Sequence, residues 1–257
     1  MMTYARQTTA VASAELHKLI RDPTELFSRA VQPVLWLMVF GQVFSRVRGI
    51  PTGGVSYLAF MTPGILAQSV LFSAIFYGIA VIWERDLGIV HKVLVTPSPR
   101  SALVLGKALA AGLRGVVQAA IVFLIALALG IELRWQPLPI GVVLTAVMLG
   151  SAIFSTFSLI IACIVKTRER FMGIGQVLTM PLFFASNAIY PTSMMPRWLQ
   201  FLSHLNPLTY QVDGLRALLL AGAPPAPVGL GTDFAVLGLA LGVLVVISAR
   251  LYPRIVQ

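Results

Sequence analysis

Six stretches of the 257-residue chain are each long and apolar enough to cross a lipid bilayer, and this limits the fold more than any motif does. A spanning helix takes about 20 mostly apolar residues, because its backbone polar groups must be satisfied within the segment itself. The stretches run from about Val31 to Phe44 (entered near Phe27), Tyr57 to Trp83, Leu103 to Ile131, Leu138 to Val165, Phe171 to Tyr190, and about Asp233 to Leu251. Composition agrees, with 58% hydrophobic residues, 11% charged residues and a mean hydropathy of +0.88. A soluble domain carries about a quarter charged residues. A soluble enzyme and a disordered tail are therefore excluded, and the scattered Gly and Pro exclude a collagen-like chain. The expected fold is an all-α polytopic membrane protein, one domain over residues 1–257 with six transmembrane helices.

The net charge of +10 would suggest nucleic acid on a soluble chain. On a membrane chain it reports topology instead. With the N-terminus inside, thirteen of the nineteen Lys and Arg residues fall in cytoplasmic segments. Arg46, Arg48, Arg134, Arg197 and Arg216 fall outside, and Arg114 lies within a span. Both termini are expected in the cytoplasm, the chain being multi-pass in the cytoplasmic (inner) membrane with no nucleic-acid partner. Glu15, His17, Lys18 and Arg21 interrupt the apolar core that a signal peptide would need. Cys163, alone in an apolar stretch, forms no intrachain disulfide.

Three segments outside the spans carry information. Residues 5–22 read as an amphipathic helix in the interface plane, with Val11, Leu16, Leu19 and Ile20 on one side and Arg6, Gln7, Ser13, Lys18 and Arg21 mostly elsewhere. Asp22, Pro23 and Glu25 then supply a cap, a first helical turn and a capping box for the helix that enters the membrane, with a kink expected at Pro33. In Glu84 to Arg100, Leu87, Val90, Val93 and Leu94 fall at helical spacing, and Thr96-Pro97-Ser98-Pro99 ends the pattern. Such an apolar face can rest on lipid headgroups or in a groove of a partner protein. The segment 191–231 is too apolar for an ordinary external loop, yet Asn206-Pro207 leaves neither half long enough to span. It reads as a re-entrant helical hairpin.

No catalytic constellation is present. His17, His91 and His204 are far apart in sequence, with no zinc motif and no nucleophile elbow. Gly106-Lys107 lacks both the preceding glycine and the following Ser or Thr of a phosphate-cradling loop, so no P-loop ATP hydrolysis is expected here. Neither a catalytic residue nor a metal ligand is assigned, and no cofactor is expected on this chain. Arg114, about 16 Å along its helix, can pair with a facing helix or face a pathway. Gly238 and Gly242 permit close helix approach. Glu132 and Asp233 lie near span ends and Asp213 in the external segment, so the spans hold almost no carboxylate with which to bind a coupling ion.

Taken in order, these blocks resemble the membrane subunit of a type-2 ABC exporter, a permease family that includes drug, lipid and polysaccharide exporters. The similarity rests on Glu84-Arg85-Asp86-Leu87-Gly88 through Leu94, Thr96-Pro97, and Arg100 to Gly106-Lys107. Arg21-Asp22-Pro23, Pro33 and Gly41 resemble the family's entry into its first span. Ser186 to Pro191, Met195-Pro196, Trp198-Leu199, Asn206-Pro207-Leu208-Thr209-Tyr210 and Leu215-Arg216 resemble its re-entrant region. His91-Lys92 stands where the family usually carries a further acidic residue.

The resemblance implies that residues 84–100 form a coupling helix seated in a separate P-loop ATP-binding subunit, present in two copies and carrying ATP and Mg. Glu84, Arg85, Leu87, Gly88, Val90, Leu94, Thr96 and Pro97 would make that contact, with Leu16, Leu19 and Arg21 of the interface helix beside them. A second permease subunit, identical or related, would complete a central path. In this family spans two and five line it, which implies Gln68, Ser69, Phe72, Phe76, Gln176, Thr179, Phe183 and Asn187. Their aromatic and neutral-polar character suits a hydrophobic or amphipathic substrate: a drug or antibiotic, a lipid, or a lipid-linked glycan. Pro191, Pro196, Trp198, Asn206, Pro207 and Tyr210 would shape the external closure. The competing readings are an ion-coupled secondary carrier of a small hydrophobic solute and an integral membrane enzyme.

Overall fold

The computed structural model of the chain describes residues 2–21, 31–46, 51–90, 99–165, 167–220 and 227–256. Among these the structure is helical, with no strand. In chain order the helices are α1 (Met2–Arg21), α2 (Val31–Phe44), α3 (Tyr57–Asp86), α4 (Arg100–Ala128), α5 (Pro137–Ile164), α6 (Arg168–Phe184), α7 (Arg197–Leu205), α8 (Pro207–Leu219) and α9 (Leu230–Leu251). A short helical turn, Tyr252–Val256, follows α9.

Four of these, α3, α4, α5 and α9, are long and apolar enough to cross a membrane. Among the described residues, four of the six expected stretches are thus helices of membrane length. The helix of the fifth stretch starts on the charged Arg168, Glu169 and Arg170 and stops at Phe184, after which the chain turns through Ala185 to Tyr190. Its apolar part, Phe171 to Phe184, is about 21 Å long at 1.5 Å per residue, against the roughly 30 Å of a hydrocarbon core. The described part of α2 is equally short, and the cap expected at Asp22 to Glu25 lies outside the described residues. Beyond Pro33, which cannot donate to the helical ladder, α2 widens into a π-helical turn over Trp36–Phe40.

The centre of the bundle is built on α3 and α5, whose mid-sections are buried all round. Small residues allow this. Gly150, Ser151, Ala152, Ser155, Thr156, Ser158 and Ala162 of α5 are all buried, as expected where backbones approach closely without a hydrophobic drive between helices. The Gly78 N–H donates to Ser158 Oγ at 3.0 Å, and Ser158 in turn donates to the Ile75 carbonyl, which joins α3 to α5. By contrast α9 buries little of its surface, with Leu239, Val243, Val246 and Ile247 exposed. Gly238 and Gly242 lie on this open side, and no described residue packs there.

Connectivity sets both described chain ends at one end of the bundle. There the end of α3 meets the starts of α4 and α6, α1 lies across α4, and Tyr252 and Ile255 pack with Val81, Val90, Leu103, Leu159 and Cys163. At the opposite end, α7 and α8 form the expected pair of short helices. Asn206 joins them: its Oδ1 accepts from Leu208 N at 3.0 Å, Pro207 takes the first helical position, and its Nδ2 donates to the Leu182 carbonyl at 2.6 Å. Tyr210 Oη donates to the His204 carbonyl at 2.8 Å. Whereas α8 is enclosed by α3, α5 and α9, α7 turns Trp198, Phe201, Leu202 and Leu205 outward and keeps Ser203 inside. Arg197 and His204 are exposed with them, at the two ends of this largely apolar outer face.

Candidate functional site

The last turn of α3 is held by two charged clasps. In the inner one, Lys107 Nζ of α4 donates to Glu84 Oε2 at 2.7 Å and to Glu15 Oε1 of α1 at 3.0 Å. Arg114, one face further along α4, approaches Glu15 Oε2 at 3.7 Å and the Glu15 carbonyl at 3.4 Å. Its guanidinium also lies 4.9 Å from the centre of the Tyr77 ring. Two carboxylates and two cations thus offset one another in a buried site, the condition under which such charges are tolerated. Arg114 is therefore an internal partner of α1.

Gly106 makes the inner clasp possible. A Cβ at this position would lie 2.7 Å from Val11 Cβ and 2.8 Å from the Thr8 carbonyl oxygen, so α1 can settle on α4 only over a glycine. Val11 and Glu15 are one helical turn apart and meet Gly106 and Lys107 in the same way. The Gly-Lys pair read from the sequence thus acts as a seat and a bond for α1.

The outer clasp is partly exposed. Arg168 NH2 reaches Asp86 Oδ2 at 2.8 Å, and its guanidinium stacks 3.6 Å from the centre of the Trp83 ring. Arg85 NH2 takes the other oxygen of Asp86 at 2.8 Å. The start of α6, capped by Thr167 Oγ1, is thereby tied to the end of α3.

Immediately beyond, α3 ends on a glycine. The Leu87 N–H donates to the Trp83 carbonyl at 3.0 Å and the Gly88 N–H to the Arg85 carbonyl at 2.9 Å, with Gly88 at φ +71°. This left-handed stop suits glycine. It also alters the expected spacing, because Leu87 belongs to the cap of α3 and does not share a helical face with Val90. Leu87 is 68% exposed and Val90 is buried at 1%. Leu94, Thr96 and Pro97 lie outside the described residues, as do the side chains of Leu16, Leu19 and Arg21 on α1.

The residues expected along a path do not share one surface of this chain. Gln68, Ser69, Thr179, Phe183 and Asn187 are buried, Phe72 and Phe76 are half-buried and paired at 6.4 Å, and Gln176 is exposed. On α6 the stripe of Gly175, Thr179 and Phe183 turns inward, leaving Met172, Val177, Met180 and Phe184 outside. In the expected re-entrant region, Pro191 and Pro196 precede a short turn and α7, and Trp198 is exposed.

Sequence reasoning missed a buried polar cluster at the far end. Arg216 NH2 donates to the Asn187 carbonyl at 2.8 Å, NH1 lies 3.7 Å from Asp213 Oδ1, and the guanidinium covers the Phe60 ring at 3.9 Å. Asn187 also donates to Asp213. Asp233 is fully buried nearby, and neither of its carboxylate oxygens has a hydrogen-bond partner among the described residues. Asp213 and Arg216, one helical turn apart, were the available signal; Asp233 lies beside Gly214 of α8, a neighbour set by tertiary packing. Among the described residues no group of His, Cys, Asp and Glu is arranged to hold a metal ion.

A family model described as ABC-2 type transporter matches residues 6–220. A transport permease, ycf38, of Cyanophora paradoxa is 32% identical over 204 residues, covering 78% of this chain and 70% of the relative. The daunorubicin resistance ABC transporter permease protein DrrB1 of Streptomyces coeruleorubidus is 26% identical, covering 81% of this chain and 73% of the relative. The inner membrane transport permease YadH of Escherichia coli K12 is also 26% identical, covering 80% of each chain. The chain belongs to the ABC-2 type transporter family and is a membrane permease.

Proposed function

We propose that this permease is the membrane half of an ATP-driven exporter that carries a hydrophobic or amphipathic substrate out of the cytoplasm or inner leaflet. ATP and Mg are bound and hydrolysed by two copies of a separate P-loop subunit, and a second permease completes the path. The chain lies in the cytoplasmic membrane with both termini inside, α2 and α6 providing the remaining two of six crossings with the chain that flanks them. The observation that carries this reading is the inner clasp. Glu84, at the root of the 84–100 segment, is bonded through Lys107 to α4 and α1, so a push on that segment moves three helices together.

In this reading residues 84–100 are the coupling helix, with Glu84 and Arg85 at its root and Leu87, Gly88, Val90, Leu94, Thr96 and Pro97 toward the partner. The half-buried Phe72 and Phe76 and the exposed Gln176 are the positions available to a path between two permeases. The test is purification of the tagged chain from its native membrane, with ATPase assay and mass spectrometry. A P-loop ATPase should accompany the wild type and be lost with Leu87→Asp, a change that removes no internal packing because Leu87 is 68% exposed. A chain that purifies without any ATPase overturns the proposal.

One observation favours a second reading, an ion-coupled carrier: the buried Asp233 carboxylate, without a hydrogen-bond partner among the described residues. Intramembrane carboxylates mark ion pathways in such carriers. Flux driven by an imposed gradient in ATP-free vesicles would support it.

A further inference from the structure

A cavity of about 630 Å³ lies between α2, the end of α6 and the turn that leads into α7. That volume falls within the range of roughly 300–1,000 Å³ typical of small-molecule sites. Six of its eleven lining residues are aromatic: Trp36, Phe40, Phe44, Tyr57, Phe184 and Tyr190. Among the described lining residues none is charged.

The rings form a continuous wall. Trp36 and Phe40 have centroids 4.5 Å apart, Phe40 and Phe44 6.5 Å, and Phe44 and Tyr57 5.9 Å. The π-helical turn over Trp36–Phe40 contributes to the alignment. Residues four apart overshoot an α-helical turn of 3.6 residues, and the wider turn takes up that excess, leaving Trp36, Phe40 and Phe44 along one side.

Both tyrosine hydroxyls are committed to the backbone. Tyr57 Oη donates to the Ile189 carbonyl at 3.2 Å and Tyr190 Oη to the Phe184 carbonyl at 2.5 Å. The cavity therefore offers ring surface with few polar atoms. Met194 and Met195 complete the wall at the α7 side, supplying polarisable, adaptable thioethers.

We propose that this cavity binds the uncharged, planar aromatic part of an apolar molecule. Aromatic pairs and sulfur–aromatic contacts add stabilisation beyond the area buried, which an acyl chain cannot gain to the same degree. The proposal rests on the exporter reading only in making this molecule a transport substrate. Binding itself needs no ATPase partner, so the test on the permease alone can fail while the exporter reading stands.

The probe is pyrene, an uncharged four-ring aromatic that accepts energy from tryptophan. The protein carries Trp83→Phe, Trp135→Phe and Trp198→Phe, leaving Trp36 as the sole donor, and is reconstituted in phosphatidylcholine vesicles. Energy transfer from Trp36 should saturate with pyrene. Leu199→Phe, which fills the cavity, should weaken the saturable component at least tenfold, and Phe40→Leu, which removes a ring at little change of volume, should weaken it several-fold. In vesicles of brominated-chain phosphatidylcholine, naphthalene, whose absorption lies below tryptophan emission, should relieve the quenching of Trp36. Transfer that rises linearly and is unchanged in both variants overturns the proposal. So does bromine quenching that naphthalene does not relieve, since an acyl chain would then be the occupant.

Discussion

Lys107 is one cation shared by two carboxylates, and this sets the order of effects expected from substitution. Lys107→Met takes the charge away from Glu84 and Glu15 together, and breaking a buried pair in this way costs about 3–5 kcal/mol. Glu84→Gln leaves Lys107 paired with Glu15 at 3.0 Å and keeps a polar group in place, so its cost is nearer that of one lost charged hydrogen bond, about 1.5–3 kcal/mol. Unfolding in detergent micelles reads the difference directly; equal costs for the two variants would contradict a shared cation. Beside it, Gly106→Ala should cost about 1–3 kcal/mol through overpacking against Thr8 and Val11. Hydrogen exchange over residues 2–21 should rise in that variant and in Lys107→Met but not in Glu84→Gln, because only the first two loosen α1. If α1 stays protected, its seat on Gly106 is not what holds it.

At the scale of elements, the outer clasp joins α6 to α3 with little stability at stake. An exposed ion pair contributes about 0.2–1 kcal/mol and an exposed cation–ring contact about 0.5–1 kcal/mol. Arg168→Ala should therefore leave unfolding almost unchanged yet reduce transport more than ATPase activity in the assembled transporter, because α6 no longer follows the end of α3. Arg168→Lys should restore part of it, keeping the charge on Asp86 but losing the planar stack on Trp83. Equal losses of ATPase and transport would place Arg168 outside the coupling path. The helices that this clasp joins were legible to different degrees. The stretches for α3, α4, α5 and α9 lie within a few residues of the observed helices, because each is a long apolar run that must close its own hydrogen bonds. The fifth stretch runs past the helix it contains because hydropathy does not register where a helix stops at Phe184 and turns. Leu87 and Val90 misled in a related way, since helical spacing counts residues through Gly88 while the backbone does not continue through it. The clasps themselves join residues up to 92 positions apart, and while Glu84, Arg85, Asp86 and Lys107 stood out as motif, their partners Glu15 and Arg168 did not.

For the molecule as a whole, the two ends of the bundle carry charge in opposite ways. At the α1 end, Glu15, Glu84, Asp86, Lys107 and Arg168 are all matched with partners of the other sign. At the far end Asp213 holds Arg216, but Asp233 is buried with neither carboxylate oxygen bonded among the described residues. An unsatisfied buried polar group costs about 1–3 kcal/mol or more, so its replacement should stabilise the fold. Asp233→Leu is expected to raise the unfolding temperature by about 2–4 °C per kcal/mol recovered, and Asp233→Asn to change it less, because its amide still needs partners. The two functional readings then part on activity. An exporter driven by ATP from the α1 end should keep its transport in Asp233→Asn, with the ATPase still stimulated by substrate. An ion-coupled carrier that used this carboxylate should lose gradient-driven flux altogether. A permease that becomes more stable and still exports with ATP would assign Asp233 to the closed state of the outer end. One that becomes more stable and inert would move the driving force from the clasped end of the bundle to the unpaired one.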